Sequence, residues 1–197
     1  MKKITIGYDV DGTIADTDHV VSKILKAQHG IDVPRSRLDT YKLERDGIIS
    51  HRRMIKIYKD AWKDPRAVPI MNKKIPRIIA KISKELGYES NIITCTAAKE
   101  SVLQEWLDIN KIPRSKTIHL KTAIGKGKFR GIHVHVDDHP DVAKAAARSG
   151  KVTILLKGPC SREFIKTNND ESIIVARNWK EVEEILRSSR IAKIRPQ

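Results

Sequence analysis

Ile4-Thr5-Ile6-Gly7-Tyr8-Asp9-Val10-Asp11-Gly12-Thr13 is the stretch on which the fold turns. An apolar, partly β-branched run stops abruptly at Asp9 and gives way to Asp-x-Asp-Gly-Thr. A run of this length predicts a buried strand over Ile4–Asp9. In open α/β sheets the ligand crevice lies at the carboxyl ends of the strands, so Asp9 and Asp11 are expected to emerge into it. Gly12 lets the backbone turn sharply and approach a ligand closely. An ordinary Asp/Gly turn is the plainer reading of the same residues. A calcium loop would continue with further oxygen ligands and a closing glutamate, and those are missing.

Working outward, comparable apolar runs recur at Ser90–Cys95, Thr117–Leu120, Ile132–Val136, Val152–Leu156 and Ser172–Val175. Helical patterns fall between them. Ile75, Ile78, Ile79, Ile82 and Leu86 mark one apolar face, with Pro76 in its first turn, where proline is tolerated. Val102, Leu103, Trp106, Leu107 and Ile109 mark a second, Val142, Ala145 and Ala146 a third, and Trp179, Val182, Ile185 and Leu186 a fourth. Strand and helix in alternation predict an α/β, Rossmann-like three-layer sandwich with a central parallel sheet. The first interval is too long for one crossover helix. It is read as a small helical cap over residues 17–72 inserted after the first strand, leaving residues 1–16 plus 73–197 as the core. Val20, Val21, Ile24 and Leu25 suggest one cap helix, and Met54, Ile55, Tyr58 and Trp62 another. Asp16 to Asp18 are expected to cap the first of these. Trp62 is assigned to the cap's own small core. The basic tail from Ser188 to Gln197 is expected to fray.

A second acidic pair, Asp137-Asp138, follows the run ending in Val136, again where a strand should end. Four carboxylates from two strand ends repel one another unless a hard cation joins them, and magnesium suits oxygen ligands. Thr94 stands at a third strand end, where a hydroxyl can donate to a phosphoryl oxygen. Cys95 and Thr96 follow it. Lys121, Lys126 and Lys128 precede the second acidic pair, and any one of them taken alone reads as a solvated loop lysine. His133, His135 and Asp137 alternate along one strand, and packing beside the sheet is preferred to a transition-metal site.

In this order the motifs resemble those of the haloacid dehalogenase (HAD) superfamily: Asp9-Val10-Asp11-Gly12-Thr13, Thr94, a lysine at 126 or 128, and Asp137-Asp138. The closer resemblance is to the 5′(3′)-deoxyribonucleotidase-like branch. It extends through Val136-Asp137-Asp138-His139-Pro140, Val152-Thr153-Ile154-Leu155-Leu156 and Ile174-Val175-Ala176-Arg177-Asn178-Trp179-Lys180-Glu181-Val182. The chain departs from that branch at Thr96, where arginine is usual, and at Pro159-Cys160-Ser161, where Pro-Tyr-Asn or Pro-Trp-Asn is usual. The resemblance implies magnesium-dependent phosphomonoester hydrolysis. Asp9 would be the nucleophile, Asp11 the acid and base, and Thr94 with Lys126 (preferred to Lys128) the supporting groups. It implies a metal held by Asp9, Asp11 through its carbonyl, and Asp137 or Asp138. Substrate contacts are expected from Gly12, Thr13, Cys95, Thr96, Lys128 and Tyr41, the cap acting as a lid.

Composition bounds the partners. The chain of 197 residues is 40% hydrophobic and carries a formal charge of +15. Its cysteines, Cys95 and Cys160, lie in no metal-ligand or disulfide pattern. With no apolar run long enough to span a membrane and no secretory leader pattern, it is read as a soluble, cytoplasmic protein. The positive charge is distributed rather than concentrated in one run, so a small phosphorylated substrate, a nucleotide above all, is preferred to nucleic acid as the partner. Polynucleotide end phosphatase, sugar-phosphate phosphatase and non-catalytic binding module are the competing readings, and a homo-oligomer is left open.

Overall fold

The computed structural model describes residues 3–194. Among these residues the chain forms one parallel sheet of β1 (Thr5–Tyr8), β2 (Glu89–Thr94), β3 (Lys116–His119), β4 (Val134–Asp137), β5 (Val152–Leu156) and β6 (Ile173–Ala176), in the order β3-β2-β1-β4-β5-β6. Every residue of β1 and β4 is buried, as expected of central strands covered on both faces. The expected α/β sandwich is therefore the fold.

The order has a switch point. From β1 the chain builds outward through β2 and β3, then returns to place β4 against the other side of β1. The carboxyl ends of β2, β1 and β4 consequently lie side by side, and the chain leaves them at Thr94, Asp9 and Asp137. This is where open α/β sheets form their crevice.

Helices α4 (Ile75–Leu86), α5 (Glu100–Ile109), α9 (Trp179–Leu186) and α10 (Ser189–Ala192) contribute to the main core. There Ile75, Ile79, Ile82, Leu103, Leu107, Val182 and Leu186 pack with Ile6, Tyr8, Val134 and Ile154. Alternation along β5 divides the layers: Ile154 and Leu156 join this core, while Leu155 meets Ala143 of α7 (Pro140–Arg148) and Phe164 of α8 (Arg162–Thr167) on the other face. Between β1 and α4 lie α1 (Thr17–His29), α2 (Thr40–Arg45) and α3 (His51–Ala61). Val21, Leu25, Leu38, Leu43, Met54 and Ile57 give this segment a hydrophobic cluster of its own.

Several local expectations need correction. Trp62 belongs to the main core, edge-on to Trp106 with ring centroids 5.8 Å apart. Asp16 occupies the N-cap position of α1 but makes no capping bond, because its carboxylate is taken by Arg35 at 2.7 Å. Ile109 and Ile55 are exposed rather than on buried faces. The tail does not fray at Ser188: it forms α10, whose Ile191 is fully buried in the main core. The end of the tail, residues 195–197, lies outside the described residues. No helix among the described residues is long and apolar enough to cross a membrane.

Candidate active site

The chain leaves β1 through a tight loop. The amides of Thr13, Ile14 and Ala15 all donate to the carbonyl of Val10, and Gly12 donates back to Ala15. The Trp179 indole N–H fastens this loop from the core by donating to the Thr13 carbonyl at 2.9 Å. Gly12 is required twice over. Its φ is +74°, and a Cβ there would stand 2.2 Å from Asp138 Oδ2. The glycine thus allows the backbone after β1 to touch the acidic pair after β4.

Carboxylate oxygens of Asp9, Asp137 and Asp138 come within 4.8 Å of one another. A single ammonium lies among them. Lys126 Nζ is 2.7 Å from Asp9 Oδ1 and 2.9 Å from Asp137 Oδ2, and its side chain is 4% exposed. It reaches inward from the six-residue helix α6 (Ala123–Lys128), whose N-cap Thr122 accepts from the Gly125 amide. Gly127 lets α6 lie against α7, since a Cβ there would meet the Val142 carbonyl at 2.7 Å. Lys128 points elsewhere: it is exposed and outside the cavity lining.

The three carboxylates differ. Asp137 is fully enclosed. It accepts from Lys126, from His135 Nε2 at 2.9 Å and from the His139 amide at 2.9 Å. Burial favours its neutral form, but Lys126 and the His135 hydrogen bond outweigh that and hold it well below the usual carboxylate range. Burial also keeps His135 neutral, so the proton it donates to Asp137 sits on Nε2. Both histidines singled out, His135 on β4 and His133 just before it, are accounted for by packing and hydrogen bonds, His133 Nδ1 accepting from the Thr5 amide. Asp9 is pushed up to about 7 by burial, against the pull of Lys126. Asp138 is raised well above its ordinary value by burial and then by the charges of Asp137 and Asp9. It receives only the Thr13 hydroxyl at 3.5 Å and the Cys160 thiol at 3.5 Å.

Asp11 stands apart from this cluster. Its Oδ1 accepts from the Thr17 hydroxyl at 2.5 Å and from the Trp62 indole N–H at 3.0 Å. The sequence reading missed both donors. Trp62 is 51 residues away, and nothing in local spacing signals the contact. Its sole clue is that an indole buried in a core needs an acceptor.

Asp9, Asp11, Gly12, Thr94, Cys95, Thr96, Tyr41, Lys126 and Asp138 line one cavity of about 330 Å³. Thr13 and Asp137 lie beneath it, fully buried. The Thr94 hydroxyl accepts from the Thr96 amide at 3.1 Å, which leaves its own proton free to donate. Leu38, Tyr41, Met54, Ile55 and Tyr58 from the helical segment form the opposite wall. His139 also lines it, edge-on to Tyr41 at 4.4 Å between centroids.

The donor set fits a hard divalent cation. Three oxygen ligands converge, and among the described residues one ammonium serves them and Asp138 has no cation in ion-pair range. A pH dependence follows. Asp138 holds its proton more tightly folded than unfolded. Its favourable contribution is complete below about pH 4, the ordinary carboxylate value, and is lost as pH rises through its folded value. Without metal, Asp138→Asn is therefore expected to gain in Tm relative to the parent as pH goes from about 5 to about 8. Thermal unfolding measures this, and a pH-independent difference would contradict it.

No protein-family model and no curated protein matches this sequence. Solved structures do. A haloacid dehalogenase-like family hydrolase from Streptococcus pneumoniae superposes with a TM-score of 0.66 at 12% identity, over 93% of this chain and 98% of that one. A protein of Clostridium acetobutylicum described as a predicted phosphatase gives 0.69 at 14% identity, over 98% and 100%. L-2-haloacid dehalogenase from Xanthobacter autotrophicus, with chloropropionic acid covalently bound, gives 0.60 at 9% identity, over 95% and 100%. The likeness at these identities is one of fold.

Proposed function

We propose that this chain hydrolyses phosphate monoesters by way of an aspartyl-phosphate on Asp9, with magnesium as the cofactor. The observation that carries the reading is the gathering of Asp9, Asp137 and Asp138 around Lys126 beside an open cavity. Asp9, the Asp11 carbonyl and Asp138 would hold the ion. Asp137, already saturated by Lys126, His135 and a backbone amide, orients the lysine. Bound there, magnesium supplies positive charge to the phosphoryl oxygens and keeps Asp9 ionised.

The remaining steps belong to the chain's own groups. Asp9 attacks phosphorus, and the ester oxygen leaves with a proton from Asp11. Thr17 and Trp62 both bind Oδ1 of Asp11, so Oδ2 is the oxygen left to carry that proton. The same carboxylate then removes a proton from the water that attacks the aspartyl-phosphate, releasing phosphate and restoring Asp9. The Thr94 hydroxyl supplies a donor for the phosphoryl oxygens, the Gly12 and Thr13 amides being held by the Ala15 and Val10 carbonyls, and Lys126 offsets charge on the nucleophile. Residues 17–72 act as the cap, excluding water and contacting the leaving group.

The preferred leaving group is a nucleoside. Tyr41, half exposed at the cavity rim, offers a face for a base, and Leu38, Met54 and Ile55 add apolar surface for a ring system among the polar Asp18, Thr40, Glu44 and His51. Purified protein should be assayed with magnesium against nucleoside monophosphates, sugar phosphates and phosphorylated oligonucleotides, with and without chelator. Chelator-sensitive release of phosphate, fastest from a nucleotide, is expected. Equal rates on sugar phosphates would remove the nucleotide preference, and hydrolysis indifferent to chelator would remove the metal.

A further inference from the structure

We infer that the exposed side of α3 is a docking ridge for single-stranded nucleic acid, held through its backbone phosphates. The case begins with the acids of residues 35–66, all of which are engaged locally. Asp39 and Asp64 cap a helix and a short turn, Glu44 pairs with His51, Asp46 with Arg45, and Asp60 with Lys63. The bases outnumber them. Arg37, Lys42, Arg52, Arg53, Lys56 and Lys59 are exposed and have no carboxylate in ion-pair range among the described residues.

Three of these are aligned. Arg52, Lys56 and Lys59 stand at i, i+4 and i+7 of α3, one helical face. At 1.5 Å per residue they span about 10 Å. The one acid beside the stripe, Asp60 at i+4 from Lys56, is paired with Lys63 at 2.8 Å, so the stripe is not laced with the acid–base pairs that stabilise a solvated helix. Its outward charge is left for a polyanion.

The stripe also has a direction. His51, Met54, Ile55 and Tyr58 of the same helix line the cavity, so the ridge runs along its rim. At that rim Tyr41 and Ile55 are 53% and 40% exposed. A single strand has unpaired bases to lay on such a surface while its phosphates follow the cations. A duplex hides its bases, and a lipid headgroup layer has none. Single-stranded nucleic acid is thus the polyanion that matches both halves of the surface.

The test uses the full chain and a labelled single strand of about ten nucleotides without a terminal phosphate, so hydrolysis plays no part in the readout. Binding is followed by anisotropy between about 50 and about 200 mM salt. The triple variant Arg52→Gln/Lys56→Gln/Lys59→Gln is compared with Lys111→Gln/Lys116→Gln/Arg130→Gln. The second set removes the same charge from exposed residues at or before the amino ends of β3 and β4, outside the cavity lining and with no ion pair among the described residues. Three lost phosphate contacts should reduce the slope of log K against log salt by about 2 in the α3 variant. The control should change it by less than half as much. Equal changes in both variants would overturn the proposal. So would tighter binding of duplex, or of vesicles of anionic lipid, than of the single strand.

Discussion

Asp9→Asn is expected to lower turnover by on the order of 10⁴-fold or more on any genuine substrate, because it removes the carboxylate proposed to attack phosphorus. The protein should stay folded. Asp9 is one of three clustered carboxylates, two of them buried against one ammonium, and neutralising it removes repulsion with Asp137 and Asp138 while Lys126 keeps Asp137 as a partner. Denaturant unfolding of the metal-free variant should therefore show no loss of stability. Activity that survives the change would mean that another residue is the nucleophile. Activity lost together with the fold would mean that the substitution reports on structure.

The opposite end of the same 2.7 Å ion pair should behave in the opposite way. Lys126→Met keeps the unbranched chain as far as the Cε position and removes the charged ammonium. It leaves Asp9 and Asp137 buried without their cation. Breaking a buried pair by deleting one partner costs about 3–5 kcal/mol. The cost should be largest at about pH 8 and smaller at about pH 5, since burial already raises Asp9 to about 7 and the freed carboxylate can take up a proton. Magnesium should restore part of the loss. Urea unfolding across that pH range checks all three statements, and a loss below about 1 kcal/mol at pH 8 would show that the lysine is not the counter-charge of the cluster.

How much of this was legible in the sequence follows from range. The strands were legible because a central parallel strand is buried on both faces and writes itself as a short apolar run, as Val152–Leu156 does. The position of the acids was legible for the same reason, since runs that end in Asp9 and Asp137 fix where their carboxylates emerge. Six-residue helices are too short for a period to register, so α8 went unread, and so did the helix that turns Lys126 inward and Lys128 outward. Gly127, beside the lysine, was the available hint, because a glycine inside a helix often marks a close approach of backbones.

Partners distant in the chain could not be read at all. Trp62 looked like the apolar end of a cap helix, yet its indole holds Asp11 while its rings pack in the main core. Ile191 sat in a basic tail, yet it is buried in the main core with Ile194 packed beside it, and the last turn of helix lies against the core. Asp16 had the right residue type and place for a cap, but an arginine 19 residues on competed for its carboxylate. Each miss has one cause: tertiary contacts overrode a local pattern.

The claim on which the account stands is that phosphorus is carried by Asp9. Borohydride reduction of acid-quenched enzyme taken during turnover tests it directly, because an acyl phosphate is reduced to the alcohol and the aspartate that bore it becomes homoserine. Peptide mass mapping should find homoserine at position 9, dependent on substrate and absent from unreacted protein. Homoserine at another aspartate, or none under conditions of full turnover, would contradict the account.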